Sequence, residues 1–390
     1  LRHAFALHLV CADDCDGDTL PDLCIASPGN PGALEAATVE IRSLHDGGLV
    51  RTLRPDNEEL MFGRAIAVLG DQDGDLCSDL LVGAPRARTE GGNWGEVQLR
   101  SGRTGERLWR VQRDFPAFGV AVARCGDLDG DGRDDCAVGS SPIVIQGGDL
   151  GRAYLFSGAD GRELREIVAP RSGTWFGAVV ANVGDLDGDG VQDLAIGGNY
   201  GRAPGLVVVV SARTGATLLT FAEDDEAADY GATVVGLGDV DGDGVPDLAI
   251  GAPGFSSRGK QAGRVQVIGG RSGKVLYELF GERPGEGFGQ ALCAVRDWVG
   301  PSGPSLAVAA RRGGPVGIGY VRIFAARRGD PQQTFATGPG SVLVGHALAA
   351  LPAGEGERYP ALLVPAISRD GSHRLWPVSF AMVAKAGSKR

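Results

Sequence analysis

The sequence predicts an all-β chain: a seven-bladed β-propeller of four-stranded antiparallel blades, with the seventh blade incomplete. Three observations predict it. An acidic loop recurs at a near-constant step, with first aspartates at Asp14, Asp71, Asp127, Asp185 and Asp239 and intervals of 57, 56, 58 and 54 residues. An aromatic residue sits nine positions before each (Phe5, Phe62, Phe118, Phe176, Tyr230), and a short apolar run begins nine positions after. The composition is rich in Gly (64 residues) and poor in aromatics (6%), as short strands joined by tight turns require. A fixed period of this length marks a repeat architecture, and four short strands per repeat build a propeller blade.

The elements follow in order within each repeat. In the fourth, residues 177–183 read as strand A, 194–197 as strand B, 206–210 as strand C and 217–221 as strand D. The C–D turn also recurs, as Ser101-Gly102-Arg103-Thr104-Gly105, Arg213-Thr214-Gly215 and Arg271-Ser272-Gly273, and Gly is the expected hairpin residue. Two degenerate repeats continue the step. Phe288-Gly289 precedes Asp297, with Val299, Pro301 and Ser305 where Asp is expected, and Val344-Gly345 precedes Ala353. Seven units starting near 5, 62, 118, 176, 230, 288 and 344 fill 1–390 as a single domain. Residues 374–380 stand in the place of the seventh strand C, and 385–390 make a poor strand D. The seventh blade is therefore expected to have three strands, or the chain to be cut from a longer one.

The acidic loops carry the chemistry. In the stretch from Gly238 to Pro253, Asp239, Asp241 and Asp243, the Val245 carbonyl and Asp247 can converge on one cation. Oxygen donors at positions 1, 3, 5 and 7 are the spacing of a Ca²⁺ loop, and Asp at position 9 replaces the bidentate Glu of a helical site. The same four carboxylates recur as Asp14, Asp16, Asp18 and Asp22; Asp71, Asp73, Asp75 and Asp79; Asp127, Asp129, Asp131 and Asp135; and Asp185, Asp187, Asp189 and Asp193. No His or Cys stands at these positions, which favours Ca²⁺, up to five ions in blades 1–5, over zinc. One such loop could be a solvated acidic turn; five in phase point to a metal. Thr19 and Leu76 replace Gly at position 6 of the first two loops and weaken them as sites. The loops hold twenty of the 49 acidic residues, and five Ca²⁺ would bring the net charge of −11 to about −1.

Bracketing Phe-Gly and Gly-Ala-Pro signatures around Asp-x-Asp-Gly-Asp-Gly-x-x-Asp resemble the FG-GAP repeats of the integrin α-subunit head and related bacterial surface propellers. The resemblance runs in phase over nearly the whole chain. It implies Ca²⁺ at one face and a partner at the upper face: a protein or glycan ligand, or a second subunit. Integrin α chains also carry leg domains and a membrane anchor, which this sequence does not show.

The acidic balance argues against a nucleic-acid partner, and no run of 18 apolar residues marks a membrane span. Calcium dependence implies an extracellular, cell-surface or periplasmic home. Of seven Cys, Cys11/Cys24 and Cys125/Cys136 flank their loops at matching offsets and are placed to face each other across A–B hairpins. At most one pair is expected to bond, with plain buried thiols favoured. Arg328-Gly329-Asp330 falls on a C–D turn, which accounts for it. The repeated Phe and Gly are read as architectural, Phe packing between blades and Gly letting strands approach the axis. The long B–C loops (86–95, 140–151, 254–263, 311–319) are expected to form the ligand surface, with Trp94, Tyr200, Phe255 and Arg258 as candidates.

No catalytic set stands out among five scattered His, and no nucleophile, P-loop or zinc motif is present. A non-enzymatic binding module is therefore expected. The alternative is a carbohydrate-active enzyme using acidic residues of the D–A connections, such as Glu58-Glu59 or the 223–226 run.

Overall fold

The computed structural model describes residues 8–379 except 29–36, 57–60, 89–93, 142–149, 173, 199–204, 226–227, 296–297, 299–302, 313–318, 337–340, 345–347, 352–360 and 369–372. The described residues contain β-strands and no helix. The chain divides into two compact units, one of Leu1–Asn199 with Ala203–Ala222, the other of Tyr200–Arg202 with Glu223–Arg390.

The first unit holds four antiparallel meanders. Sheet 1 is β1 (His8–Ala12), β2 (Asp22–Ser27), β3 (Thr38–Ser43) and β4 (Leu49–Leu53). Sheet 2 is β5 (Ala65–Leu69), β6 (Asp79–Arg88), β7 (Trp94–Arg100) and β8 (Arg107–Gln112). Sheet 3 is β9 (Ala121–Gly126), β10 (Asp135–Ser140), β11 (Arg152–Phe156) and β12 (Glu163–Val168). Sheet 4 is β13 (Val179–Gly184), β14 (Asp193–Gly197), β15 (Gly205–Val210) and β16 (Thr217–Glu223), within two residues of the ranges read from the sequence.

In the second unit, sheet 5 is β17 (Thr233–Gly238), β18 (Asp247–Ala252), β19 (Arg264–Ile268) and β20 (Val275–Phe280). Sheet 6 is β21 (Phe288–Val295), β22 (Ser305–Ala310), β23 (Tyr320–Ala325) and β24 (Asp330–Ala336).

The structure thus has six blades, where seven were expected. The last strands, β25 (Ser341–Val344), β26 (Ala349–Leu351), β27 (Ala361–Ser368) and β28 (His373–Ser379), form a sheet of different order. β28 pairs along β27 from Ala361 to Ile367, while β25 and β26 share the other edge end to end. Four strands therefore occupy three lanes, with strand A split. The split lies opposite Pro365, whose ring removes a backbone donor from the ladder. The expected site of strand D, near residue 385, lies outside the described residues.

The inner strands are buried on both faces, and β10, β14, β18 and β22 carry no exposed residue. Strand D is half exposed, as an outer edge should be. Phe62, Phe118, Phe176 and Phe288 are fully buried. Phe118 packs edge-on against Tyr154 and Phe156 of sheet 3, at 5.6 and 5.9 Å, in one cluster with Val97 and Leu99 of sheet 2. Phe62, Phe118, Phe176 and Phe288 are therefore plugs between adjacent sheets, while Phe5 lies outside the described residues.

The repeated glycines meet one another rather than an axis. A Cβ on Gly83 would lie 2.1 Å from the carbonyl oxygen of Gly119, and one on Gly139 would lie 2.0 Å from that of Gly177. The Gly of one repeat's Gly-Ala-Pro position thus faces the Gly after the next repeat's aromatic, backbone to backbone. The amide of Gly119 donates to the carbonyl of Gly139 at 3.0 Å, tying that turn into its own sheet.

Candidate metal centres

Each acidic loop joins strands A and B at one end of its sheet, where the C–D turn also lies. The first aspartate closes the loop on itself. Its Oδ1 accepts from the amide of position 4 (Gly17, Gly74, Gly130, Gly188, Gly242) at 2.5 to 2.7 Å. Its Oδ2 accepts from the amide of position 6 (Thr19, Leu76, Gly132, Gly190, Gly244) at 2.8 to 3.0 Å. That closure requires positive φ at position 6. Thr19 (φ 74°) and Leu76 (φ 68°) adopt it as Gly does elsewhere, so all five loops have the same turn.

The ninth aspartates are fully buried at the start of strand B. Oδ2 of Asp22, Asp79, Asp135, Asp193 and Asp247 accepts from the amide of position 2 (Cys15, Gln72, Leu128, Leu186, Val240). Oδ1 of Asp79, Asp135 and Asp247 accepts from a C–D-turn amide, at Gly102, Gly158 and Gly270. This carboxylate therefore pins the loop to the neighbouring turn.

Carboxylate oxygens converge in all five loops. Three from each come within 4.8 Å of one another: Asp14, Asp16 and Asp18; Asp71, Asp73 and Asp79; Asp127, Asp129 and Asp135; Asp185, Asp187 and Asp193; Asp239, Asp241 and Asp247. The fourth predicted residue stands outside the trio: Asp22 in the first loop, and Asp75, Asp131, Asp189 and Asp243 in the others.

Electrostatics separate the positions. Burial, with the neighbouring loop carboxylates adding to it, pushes Asp22, Asp135 and Asp193 up to about 6 and Asp79 up to about 7, against partial relief from backbone amides. Asp247 is raised by the same causes. Asp14, Asp71 and Asp239 go the other way: burial is the largest single influence and raises each, but several amides aimed at the carboxylate together outweigh it and lower it. Oδ1 of Asp22 is buried without a hydrogen-bond partner. An all-oxygen donor set fits a hard divalent cation and offers nothing soft to zinc or copper.

Residues that the sequence reading missed hold the fifth-position carboxylates. Ser43 Oγ donates to Asp18 at 3.0 Å and Ser101 Oγ to Asp75 at 3.2 Å. Arg103, Arg213 and Arg271, all on C–D turns, place Nε 3.8, 3.2 and 3.3 Å from carboxylate oxygens of Asp75, Asp189 and Asp243. In sheet 3, Arg162 pairs with Asp129 at 2.9 Å. Their signal was the recurrence of Arg at the third residue of that turn.

The cysteine pairing differs from expectation. Cys15 and Cys77 form a disulfide, joining position 2 of the first loop to position 7 of the second. Cys11 and Cys24 remain thiols because Cys11 lies opposite Leu23, and Cys24 opposite Val10. Cys136 lies opposite Arg124, beside a register shift at Asp135, which takes Cys125 off its predicted partner.

Among the ligand-surface candidates, Phe255 and Arg258 lie together on the one long B–C loop described throughout. Phe255 is half-buried, with the Arg264 guanidinium 3.8 Å over its ring and Phe280 beside it. Arg258 is exposed and stacks on Phe280 at 4.4 Å. Trp94 opens β7, and its side chain lies outside the described residues, as does all of Tyr200. Of the acidic residues weighed for catalysis, Glu223 is paired with Arg264 at 2.6 Å, and Glu58-Glu59 lie outside the described residues. Arg328-Gly329-Asp330 forms the sheet 6 C–D turn, closed by the Gly329 amide on the Ala325 carbonyl at 2.9 Å.

Residues 231–268 match the FG-GAP repeat model, the strand A, acidic loop, strand B and strand C of sheet 5. The chain is similar to integrin alpha-5 of Xenopus laevis (28% identity over 57% of this chain and 23% of that protein). It is similar to human integrin alpha-IIb (32% over 51% and 21%) and to Drosophila integrin alpha-PS2 (31% over 50% and 15%). The matched region thus spans about a fifth of the length of these relatives. The family match and these relatives support an FG-GAP, integrin α-like reading of the repeats. Among the described residues, no helix is long and apolar enough to cross a membrane.

Proposed function

We propose that this FG-GAP chain is a non-enzymatic, calcium-stabilised binding module of the extracellular or periplasmic space. Five loops would hold Ca²⁺ through the aspartates at positions 1, 3, 5 and 9, and a protein or glycan ligand, or a second subunit, would meet the B–C loops at the opposite ends of the sheets. The observation that carries the reading is the convergence of three carboxylates in each of five loops built on one plan. The kinship with integrin α chains supports the adhesion-like role.

The ions supply counter-charge; the chain supplies the geometry. The position 1 aspartate shapes the loop through the amides it accepts from, position 9 anchors it to the C–D turn, and positions 3 and 5 would add further carboxylates to an ion. At a Kd of roughly 10⁻⁴ M and about 1 mM free calcium, each site would add about 1.4 kcal/mol. Five such sites give roughly 7 kcal/mol, comparable with the whole stability of an ordinary domain.

Chelation is the test. EDTA should lower the melting temperature sharply, and excess Ca²⁺, titrated back, should restore it with a stoichiometry near five. An unchanged melting curve would refute the reading. The ligand class is then read from glycan and protein arrays probed with and without calcium.

A further inference from the structure

The C–D-turn arginines stand where a bound ion's charge would be felt. In sheets 2, 4 and 5, the third residue of that turn is Arg103, Arg213 and Arg271, and each contacts the fifth-position aspartate of its own loop. Two of them also donate to that aspartate's backbone carbonyl, Arg103 to Asp75 O at 3.0 Å and Arg271 to Asp243 O at 3.1 Å. The contact is therefore fixed by backbone as well as by charge. In sheet 1 the same slot is His45, and the fifth carboxylate, Asp18, is held by the neutral Ser43 hydroxyl instead. In sheet 3 the slot is Ala159, and Arg162 reaches the third-position Asp129.

We propose that Arg103, Arg213 and Arg271 set the cation affinity of their loops. Each holds a site's fifth carboxylate in the ion-free loop, so that a divalent cation binds by exchange against a guanidinium. The proposal rests on the calcium reading above and deepens it. The arginine side chains are about half exposed, so each pair contributes little to ion-free stability. A fixed positive charge beside an incoming divalent ion opposes binding directly, and the effect is screened by salt. The guanidinium thereby weakens each site toward the millimolar range.

The test uses the full chain, depleted of calcium and titrated with Ca²⁺ by calorimetry. In the triple variant Arg103→Gln/Arg213→Gln/Arg271→Gln, three sites should tighten by about 3–10-fold, and the gain should shrink at high salt. Gln keeps a donor for the carbonyl but not the charge. The corresponding Lys variant should stay within about twofold of the original affinity. If the triple variant does not fold, the single variants Arg213→Gln and Arg271→Gln read the same sign. Weaker or unchanged binding in the Gln variants, with the original protein taking up calcium normally, overturns this proposal alone, because a merely structural arginine would lower the melting temperature without tightening any site. No calcium uptake by the original protein overturns the parent reading and this one together.

Discussion

Leu76 shows how strongly the acidic loop dictates backbone shape. It is 85% exposed and left-handed at φ 68°, a conformation that costs a non-glycine residue about 1–2 kcal/mol. Thr19 and Leu76 both take the left-handed turn in glycine's place, and the Asp71 carboxylate, accepting the Leu76 amide at 2.8 Å, holds it against that preference. Leu76→Gly should therefore stabilise the protein by about 0.5–1 kcal/mol after the entropy of the freer unfolded chain is counted. Denaturant midpoints at fixed calcium would show it. The aspartate spacing was legible because ligand geometry in one loop is a local matter. The recurring turn arginines were visible too, but not their partners, since Arg103 reaches Asp75 from 28 residues away and nothing in either segment names the other.

At the scale of strands and sheets, the two glycine signatures prove to be one contact divided between neighbouring repeats. Gly83→Ala would drive a methyl group into the Gly119 carbonyl, and Gly139→Ala into that of Gly177. Each should cost about 3 kcal/mol or more, because backbone on both sides cannot yield. Phe118→Ala should cost a similar 3–5 kcal/mol by emptying the space between sheets 2 and 3. Urea unfolding of the three variants measures both. Strand positions were legible from periodicity alone. The cysteine partners were not: an offset rule ignores register, and Cys11 and Cys24 miss each other by a single residue along the ladder. The links that matter run between loops instead, from position 7 of one to position 2 of the loop before. The link is covalent between Cys77 and Cys15 and polar between Arg133 and the Gln72 carbonyl. Val191 and Leu128, at the same two positions, belong to one apolar cluster.

For the molecule as a whole, the repeat period was legible in the sequence, but the number of blades was not. Period and phase place seven units on the chain, but six fold as four-stranded meanders, and Pro365 marks where the seventh departs. The disulfide has a consequence for how the chain bears load. It closes a loop with a sequence separation of 62 residues, holding the first sheet to the second. Stretched from its two ends in optical tweezers, the oxidised molecule should keep that segment out of the extension. Adding reductant should release roughly 200 Å of further contour length at about 3.4 Å per residue. The bond then acts as a mechanical stop, so that tension strips β2–β4 away only after a chemical step has cut the bolt.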